Sequence, residues 1–229
     1  MKKLSKSARR AITGMTLAAA LLVLNGCGLR YATGGQAFAG SVAAEGEVTN
    51  HTYELPPFTG VKVDGSAEIY LETASRSGLS ITAAENQLEA LNVWVDGGVL
   101  HIKPQKATRF NPKLIYYVRV PELSLVDLYG SFDVTTQGGP LKLNQASIAL
   151  RGNGDYAFTV TGDVITLKMD GVKDVTMAGV ANRLIANINA TGTFDARNLL
   201  TDEVNIDLSG VGSAHVYAGE RLEATARGI

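Results

Sequence analysis

One short phrase recurs along the second half of the chain and limits the folds that the chain can adopt. Two apolar residues flank one variable position, another variable residue follows, and glycine ends the phrase, as in Val126-Asp127-Leu128-Tyr129-Gly130. Later copies end at Gly152, Gly171, Gly192, Gly210 and Gly228, so the spacings are 22, 19, 21, 18 and 18 residues. These spacings are too irregular for arrays of helical hairpins, and they fit one coil of a strand-built solenoid per copy.

Each copy has the alternation that a stacked coil needs. The two apolar residues point to one side of a strand, and the residue between them points to the other. Glycine then permits a corner conformation that a β-carbon resists. Stacking at about 4.8 Å pairs each strand with its neighbours and buries the apolar side chains in one column. The predicted corner glycines are Gly65, Gly130, Gly152, Gly171, Gly192 and Gly210.

The first half of the folded region is less regular but still rich in strands. Strands are predicted at residues 58–64, 67–72 and 113–120, and the alternating sequence around Asp96-Gly97-Gly98 predicts a β-hairpin. Residues 85–91 give the one helical turn that we expect. The sequence therefore predicts an all-β fold with a hairpin-containing N-terminal part.

The N-terminus has the features of a bacterial export signal. Five basic residues precede an apolar run over residues 11–24, which at about 14 residues is shorter than the roughly 20 that span a bilayer. The run ends in Leu24-Asn25-Gly26-Cys27, which resembles the lipobox of bacterial lipoproteins and contains the chain's one cysteine. The resemblance implies a signal peptide over residues 1–26, the general secretory route, and acylation of Cys27.

The residue after the cysteine and the charge balance bear on location and partners. Gly28, in place of the aspartate typical of inner-membrane retention, indicates by resemblance to enterobacterial lipoproteins a lipid anchor in the outer membrane. Without residues 1–26 the chain has 16 basic and 22 acidic residues, a net charge near −6. It has no basic cluster with interleaved aromatic residues, so nucleic acid is a poor candidate partner. Membrane attachment is expected through the acyl chains alone.

Composition divides the mature chain into two parts. Residues 27–47 are rich in Gly, Ala, Ser and Thr, which predicts a flexible tether. Residues 48–229 are long enough for one domain with a substantial core. The last coil is unfinished, and its open edge suggests either a truncated end or self-association with another chain.

A row of aspartates is the candidate site. Asp133, Asp155, Asp174 and Asp195 each follow a corner glycine by three residues. In register they would form a ladder that is solvated, partly protonated or bridged by a cation such as calcium, or each would accept a backbone N–H at its own corner. We favour the corner caps, and we predict no catalytic residues, no metal and no cofactor. The alternative is a carbohydrate-active enzyme that uses these aspartates on a β-helix.

Trp94, the one tryptophan, faces away from Val93 and Val95 in the predicted hairpin. It would either stack on a sugar as an exposed ring or pack under the first coil, and we favour packing. The pair Tyr116-Tyr117 carries the same alternatives.

Several segments together resemble a known family, the auto-transporter adhesin head (GIN) domain, DUF2807. They are Phe58 to Ile69, Val95 to Ile102, Gly152-Asn153-Gly154-Asp155 and Gly210-Val211-Gly212-Ser213. The resemblance extends from about Tyr53 onward and implies a right-handed parallel β-helix-like solenoid on an exported, often lipid-anchored protein. It implies an adhesin-like binding or scaffolding module without catalysis, with an envelope protein or a surface glycan as its partner.

Overall fold

The computed structural model describes residues 40–227, and all of them belong to one compact unit. The predicted signal peptide, Cys27 and most of the predicted tether lie outside the described residues, as does Gly228. The described end of that tether segment contains a short strand, Ser41–Ala43 (β1), which pairs in parallel with Arg109–Asn111 (β7). Among the described residues, no helix has the length and apolar character needed to cross a membrane.

The described chain is all-β apart from one short helix, Glu85–Glu89 (α1). The N-terminal strands are Thr49–Tyr53 (β2), Gly60–Thr73 (β3), Gly78–Ala83 (β4), Leu91–Asp96 (β5), Val99–Pro104 (β6) and Leu114–Val120 (β8). The C-terminal strands are Leu125–Gln137 (β9), Leu141–Leu208 (β10), Val211–Val216 (β11) and Arg221–Ala226 (β12). The predictions of an all-β fold and of a helical turn are confirmed.

The sheet is mixed, because its N-terminal part contains antiparallel pairs that the repeats do not have. Strands β2 and β8 flank β4 antiparallel, and β5 forms an antiparallel hairpin with β6. The hairpin turns at Gly97 and Gly98, both of which have positive φ, as a tight two-residue turn requires. The predicted hairpin is therefore confirmed.

The repeat region is built from parallel pairs in close register. Strand β9 lies between β3 and β10, and β10 also pairs in parallel with β11 and β12. Strand β10 is 68 residues long, and its different stretches contact one another: Asn182 donates to the carboxylate of Asp163, and Asn189 donates to that of Asp170. Both pairs join residues that are 19 positions apart, which is one repeat of the sequence.

The core lies on the inward side of these strands, as the apolar alternation predicts. In β9 the inward side chains Val126, Leu128, Phe132 and Val134 are at most 2% exposed. Burial of each large apolar side chain contributes about 1.5–3 kcal/mol to stability. The inward residues of β10 extend this core, so its outward residues are free to present other chemistry.

Candidate functional site

A column of glycines fixes the register of the repeats. Gly65, Gly130 and Gly152 lie opposite one another in consecutive parallel pairs. A β-carbon on Gly152 would overlap the carbonyl oxygen of Gly130, and one on Gly171 would overlap that of Gly152. Gly171 also has a φ of +114°, a conformation that residues with a β-carbon rarely adopt. These glycines are needed both for backbone shape and for close approach.

After Gly171, the next residue in the glycine column is not the predicted one, Gly192. A β-carbon on Gly192 would meet the carbonyl oxygen of Lys173, not that of Gly171, and a β-carbon on Gly210 would meet that of Ala190. Gly192 instead pairs with Gly212. The fifth position of the column, after Gly65, Gly130, Gly152 and Gly171, is therefore Ala190, and the placement of Gly192 in it is corrected by two residues. Gly192 belongs to a second column of close approaches, beside Gly212.

Three of the four predicted aspartates follow this register. Asp155 lies opposite Asp133, because the neighbouring pairs Asn153–Ser131 and Tyr156–Val134 fix the offset. Asp174 lies in the next repeat, where its Oδ1 accepts a hydrogen bond from the backbone N–H of Thr193 at 2.7 Å. Thr193 itself pairs with Ser213. The column therefore runs from aspartates to hydroxyl residues.

The prediction that Asp195 continues the column is corrected by the same two-residue displacement. Asp195 lies opposite His215, and its carboxylate accepts hydrogen bonds from the guanidinium of Arg197 at 3.0 and 2.6 Å. These bonds and a backbone N–H from Arg197 lower the pKa of Asp195 to about 2. The side chain is one half of a local ion pair.

Two of the three carboxylates that align have separate partners. Asp133 pairs with the ammonium group of Lys113 at 2.5 Å, and Asp174 caps the N–H of Thr193. Among the described residues, no group of three or more His, Cys, Asp or Glu side chains is arranged to hold a metal ion. The partner of Asp174 lies in the next repeat and that of Asp133 is a lysine side chain, so these contacts differ from the expected capping of each aspartate's own corner.

Lys173 is a buried cation that the sequence reasoning did not identify. Its side chain is 3% exposed, and the positions beside it in its column are Gly154 and Gly192. The ammonium donates to the carbonyl oxygens of Leu150, at 2.9 Å, and of Asp170. It also lies 6.0 Å from the centre of the Tyr156 ring. Burial lowers its pKa to about 8.

The outward face of the sheet carries a row of side chains across five adjacent strands. Trp94 on β5 lies opposite His101 on β6, His101 opposite Lys62 on β3, and Lys62 opposite Asp127 on β9. We call the outward residues of β5, β6, β3, β9 and the start of β10 the outer face. It combines aromatic rings with paired charges.

Charge pairing holds the centre of the outer face together. Asp127 pairs with Lys62 at 4.0 Å and with the guanidinium of Arg151. That guanidinium lies 5.6 Å from the centre of the Tyr129 ring, whose residue is 61% exposed. These contacts bring the long side chains together at the centre of the face, and each is worth at most about 1 kcal/mol.

The structure corrects the sequence-based preference for a packed Trp94. It is 41% exposed, and its ring stacks on that of His101 at a centroid distance of 4.7 Å and an interplanar angle of 8°. The two tyrosines differ. Tyr116 is 1% exposed, whereas the ring of Tyr117 stacks on that of Tyr70 at a centroid distance of 5.2 Å. Outward alternation at Trp94 was the sequence signal for exposure.

Comparison with solved structures gives similar folds at low sequence identity. An adhesin, described as putative, from Bacteroides fragilis has a TM-score of 0.75 at 22% identity, over 82% of this chain and 88% of that one. Another such adhesin, from Parabacteroides distasonis, has a TM-score of 0.52 at 18% identity, over 83% and 97% of the two chains. The comparison with curated proteins finds no match.

A family profile covers most of the folded region. It is described as "Putative auto-transporter adhesin, head GIN domain", DUF2807, and it matches residues 57–229. The match includes the glycine column, the aspartates and the whole outer face. The chain belongs to the DUF2807 family of auto-transporter adhesin head (GIN) domains.

Proposed function

We propose that the protein is a lipid-anchored component of the bacterial cell envelope that binds its partner through the outer face and performs no catalysis. The adhesin description of the family supports a binding role. The lipobox-like Leu24-Asn25-Gly26-Cys27 supports an acyl anchor, and Gly28 supports the outer membrane.

The observation that carries the binding role is the outer face itself. It is open, and its exposed tryptophan and tyrosine are each held by a neighbouring side chain. Ordered aromatic side chains lose little conformational entropy on binding, which favours recognition. Catalysis by the aspartates would need acids that converge in a cleft, whereas Asp133, Asp155 and Asp174 follow one another along a column.

We further propose that the parallel repeats form a right-handed β-helix-like solenoid. The support is the recurrent offset: Gly162 approaches the Leu143 carbonyl, Gly171 that of Gly152, and Gly179 that of Val160, each 19 residues earlier. One coil per repeat would place every outward side chain beside its equivalent in the next coil. The outer face would then be one flank of a regular stack.

Anchoring is tested by metabolic labelling with palmitate. The wild-type chain should incorporate label and sediment with outer-membrane fragments, and Cys27→Ser should do neither. Ser41→Cys in the Cys27→Ser background is a matched control, because it restores a thiol away from the predicted processing site. Equal labelling of the wild type and Cys27→Ser would refute the anchor.

Binding is tested with the purified Cys27→Ser chain on immobilised outer-membrane fragments and on glycan-bearing host-cell membranes. The wild-type outer face should give saturable retention on at least one surface. The double variant Tyr129→Ala/Arg151→Glu should reduce it, because it removes the ring and reverses the charge of the residue that holds it. Absence of retention on every surface would contradict a binding role.

A further inference from the structure

We propose that Trp94 and the two residues flanking it on β5 form a binding site for a neutral saccharide, with the free face of the indole stacking on a pyranose ring. The proposal rests on the proposed function, since it names the ligand class for one edge of the outer face.

The ring has one covered and one open side. His101 covers one side of the indole at 4.7 Å with the planes 8° from parallel. His101 belongs to β6, and β5 pairs with no other strand among the described residues. The other side of the indole therefore faces outward from the edge of the sheet, in agreement with the 41% exposure of Trp94.

His101 holds the indole in one orientation. The two residues lie directly opposite in the antiparallel hairpin, and Lys62 flanks His101 on the next strand. A ring that is already ordered does not lose rotamer freedom when a ligand binds, and so the cost of binding falls. The stack thus prepares a flat apolar surface that faces solvent.

The neighbours of Trp94 on β5 supply hydrogen-bonding groups. Asn92 and Asp96 point to the same side of the strand and are exposed. Because alternate residues of a strand are about 6.6 Å apart, amide, indole and carboxylate form a row about 13 Å long. A sugar has the complementary pattern: the axial C–H groups give an apolar face, and equatorial hydroxyls at the rim donate to and accept from amides and carboxylates.

The polar flanks decide between a saccharide and a protein partner. An aromatic anchor in a protein interface is enclosed by apolar contacts that exclude water. Here Asn92 and Asp96 border the ring along its own strand, and only the ring itself is apolar on that side. The surroundings therefore fit a ligand with a polar rim.

Charge further narrows the ligand class. The carboxylate of Asp96 repels acidic sugars, and the nearest outward cation along β6, Lys103, is paired with Asp64 at 3.5 Å. Among the described residues β5 pairs only with β6, so no strand covers the outer edge of this row. A neutral polysaccharide with equatorial hydroxyls on the stacked ring fits these constraints.

The sole tryptophan of the chain makes the test direct, since all indole fluorescence comes from the site. The purified Cys27→Ser chain is titrated with cellohexaose, laminarihexaose, xylohexaose and chitohexaose. We expect a saturable change in emission with at least one of them. Calorimetry with that sugar should show at least about a tenfold loss of affinity for Trp94→Ala and a partial recovery for Trp94→Phe.

Tyr217→Ala is the matched control, because Tyr217 is 47% exposed and lies outside the outer face. It should bind as the wild type does, and circular dichroism should show that all variants are folded. Lack of a saturable response to all four sugars would overturn the proposal, and so would unchanged affinity in Trp94→Ala. A saturable response to an extended peptide in place of the sugars would also overturn it, in favour of strand addition at the β5 edge.

The two binding experiments distinguish failure of the saccharide site from failure of the proposed binding role. If the chain is retained on membrane fragments but binds no sugar, the saccharide site is refuted and the binding role is still supported. If retention on membrane fragments is absent as well, the binding role falls too.

Discussion

The ammonium group of Lys173 donates a hydrogen bond to the carbonyl oxygen of Leu150 at 2.9 Å, inside the apolar core. Burial of this cation lowers its pKa from 10.5 to about 8. The folded protein therefore releases a proton that the unfolded chain still binds between about pH 8 and pH 10.5.

The first prediction follows from that difference in bound protons. Because the unfolded state binds more protons in this window, the free energy of unfolding should rise with pH from about 8, by no more than about 3 kcal/mol. Urea unfolding at about pH 7 and about pH 9.5 measures the rise, and Lys173→Met should flatten it. Buried Tyr116 and Tyr156 have pKa values raised by desolvation from the ordinary 10.0, so both keep their protons in the folded protein at about pH 9.5. Equal slopes would contradict a buried amine.

The second prediction separates backbone conformation from close approach. Gly171 and Gly139 have similar φ values, +114° and +126°, but only Gly171 faces a stacked carbonyl oxygen, while the space around Gly139 is open. Alanine at Gly139 should cost about 1–3 kcal/mol of unfolding free energy from φ alone. Alanine at Gly171 should lower the unfolding free energy by clearly more, because the backbone at Gly152 must move away from the added β-carbon. Urea denaturation compares the two, and equal losses would show that the stacking distance is not limiting.

The third prediction concerns calcium and the aspartate column. Since Asp133 and Asp174 already have Lys113 and the Thr193 N–H as partners, calcium should leave the melting temperature unchanged. Asp174→Asn keeps an acceptor and should be mild, whereas Asp174→Ala should cost about 1 kcal/mol. Thermal unfolding with and without calcium measures both. A calcium-dependent rise in melting temperature that is lost in Asp174→Asn would establish a cation site instead.

The fourth prediction concerns the ion pair at Asp195. Arg197 holds the pKa of this carboxyl at about 2 through hydrogen bonds. In Arg197→Ala the carboxyl pKa should move up towards its ordinary value near 3.8. Carboxyl-detected NMR titration follows it directly, and Arg183→Ala, which disrupts the separate pair with Glu203, serves as the control. An unchanged Asp195 pKa in Arg197→Ala would assign the depression to another cause.

The sequence predicts the all-β class and the buried positions of the repeats well, because apolar alternation is a local signal. Val126 and Leu128 flank Asp127, and the burial of the first two follows from strand geometry alone. The register at Gly192 could not be predicted in this way. Ala190 occupies the glycine position there, and a pattern ending in glycine two residues later matches the phrase equally well. Only the contacts between repeats distinguish the two alignments.

The site residues were harder to predict for a related reason. Strand alternation places Trp94 on the outward side, but the free side of its indole depends on β5 being the edge of the described sheet, which is a property of strand order. The buried ammonium of Lys173 donates to the carbonyl oxygen of Leu150, which lies 23 residues earlier in the sequence. Both features arise from pairing between distant segments.

The strict alternation of inward and outward side chains has an evolutionary consequence. Inward positions such as Leu128 determine stability, whereas outward positions such as Tyr129 can be replaced at little cost to the fold. Outward side chains form a grid spaced about 4.8 Å across strands and about 6.6 Å along them. Mutation can therefore redesign recognition one grid point at a time, and proteins with the same folded core can diverge in the partners they select.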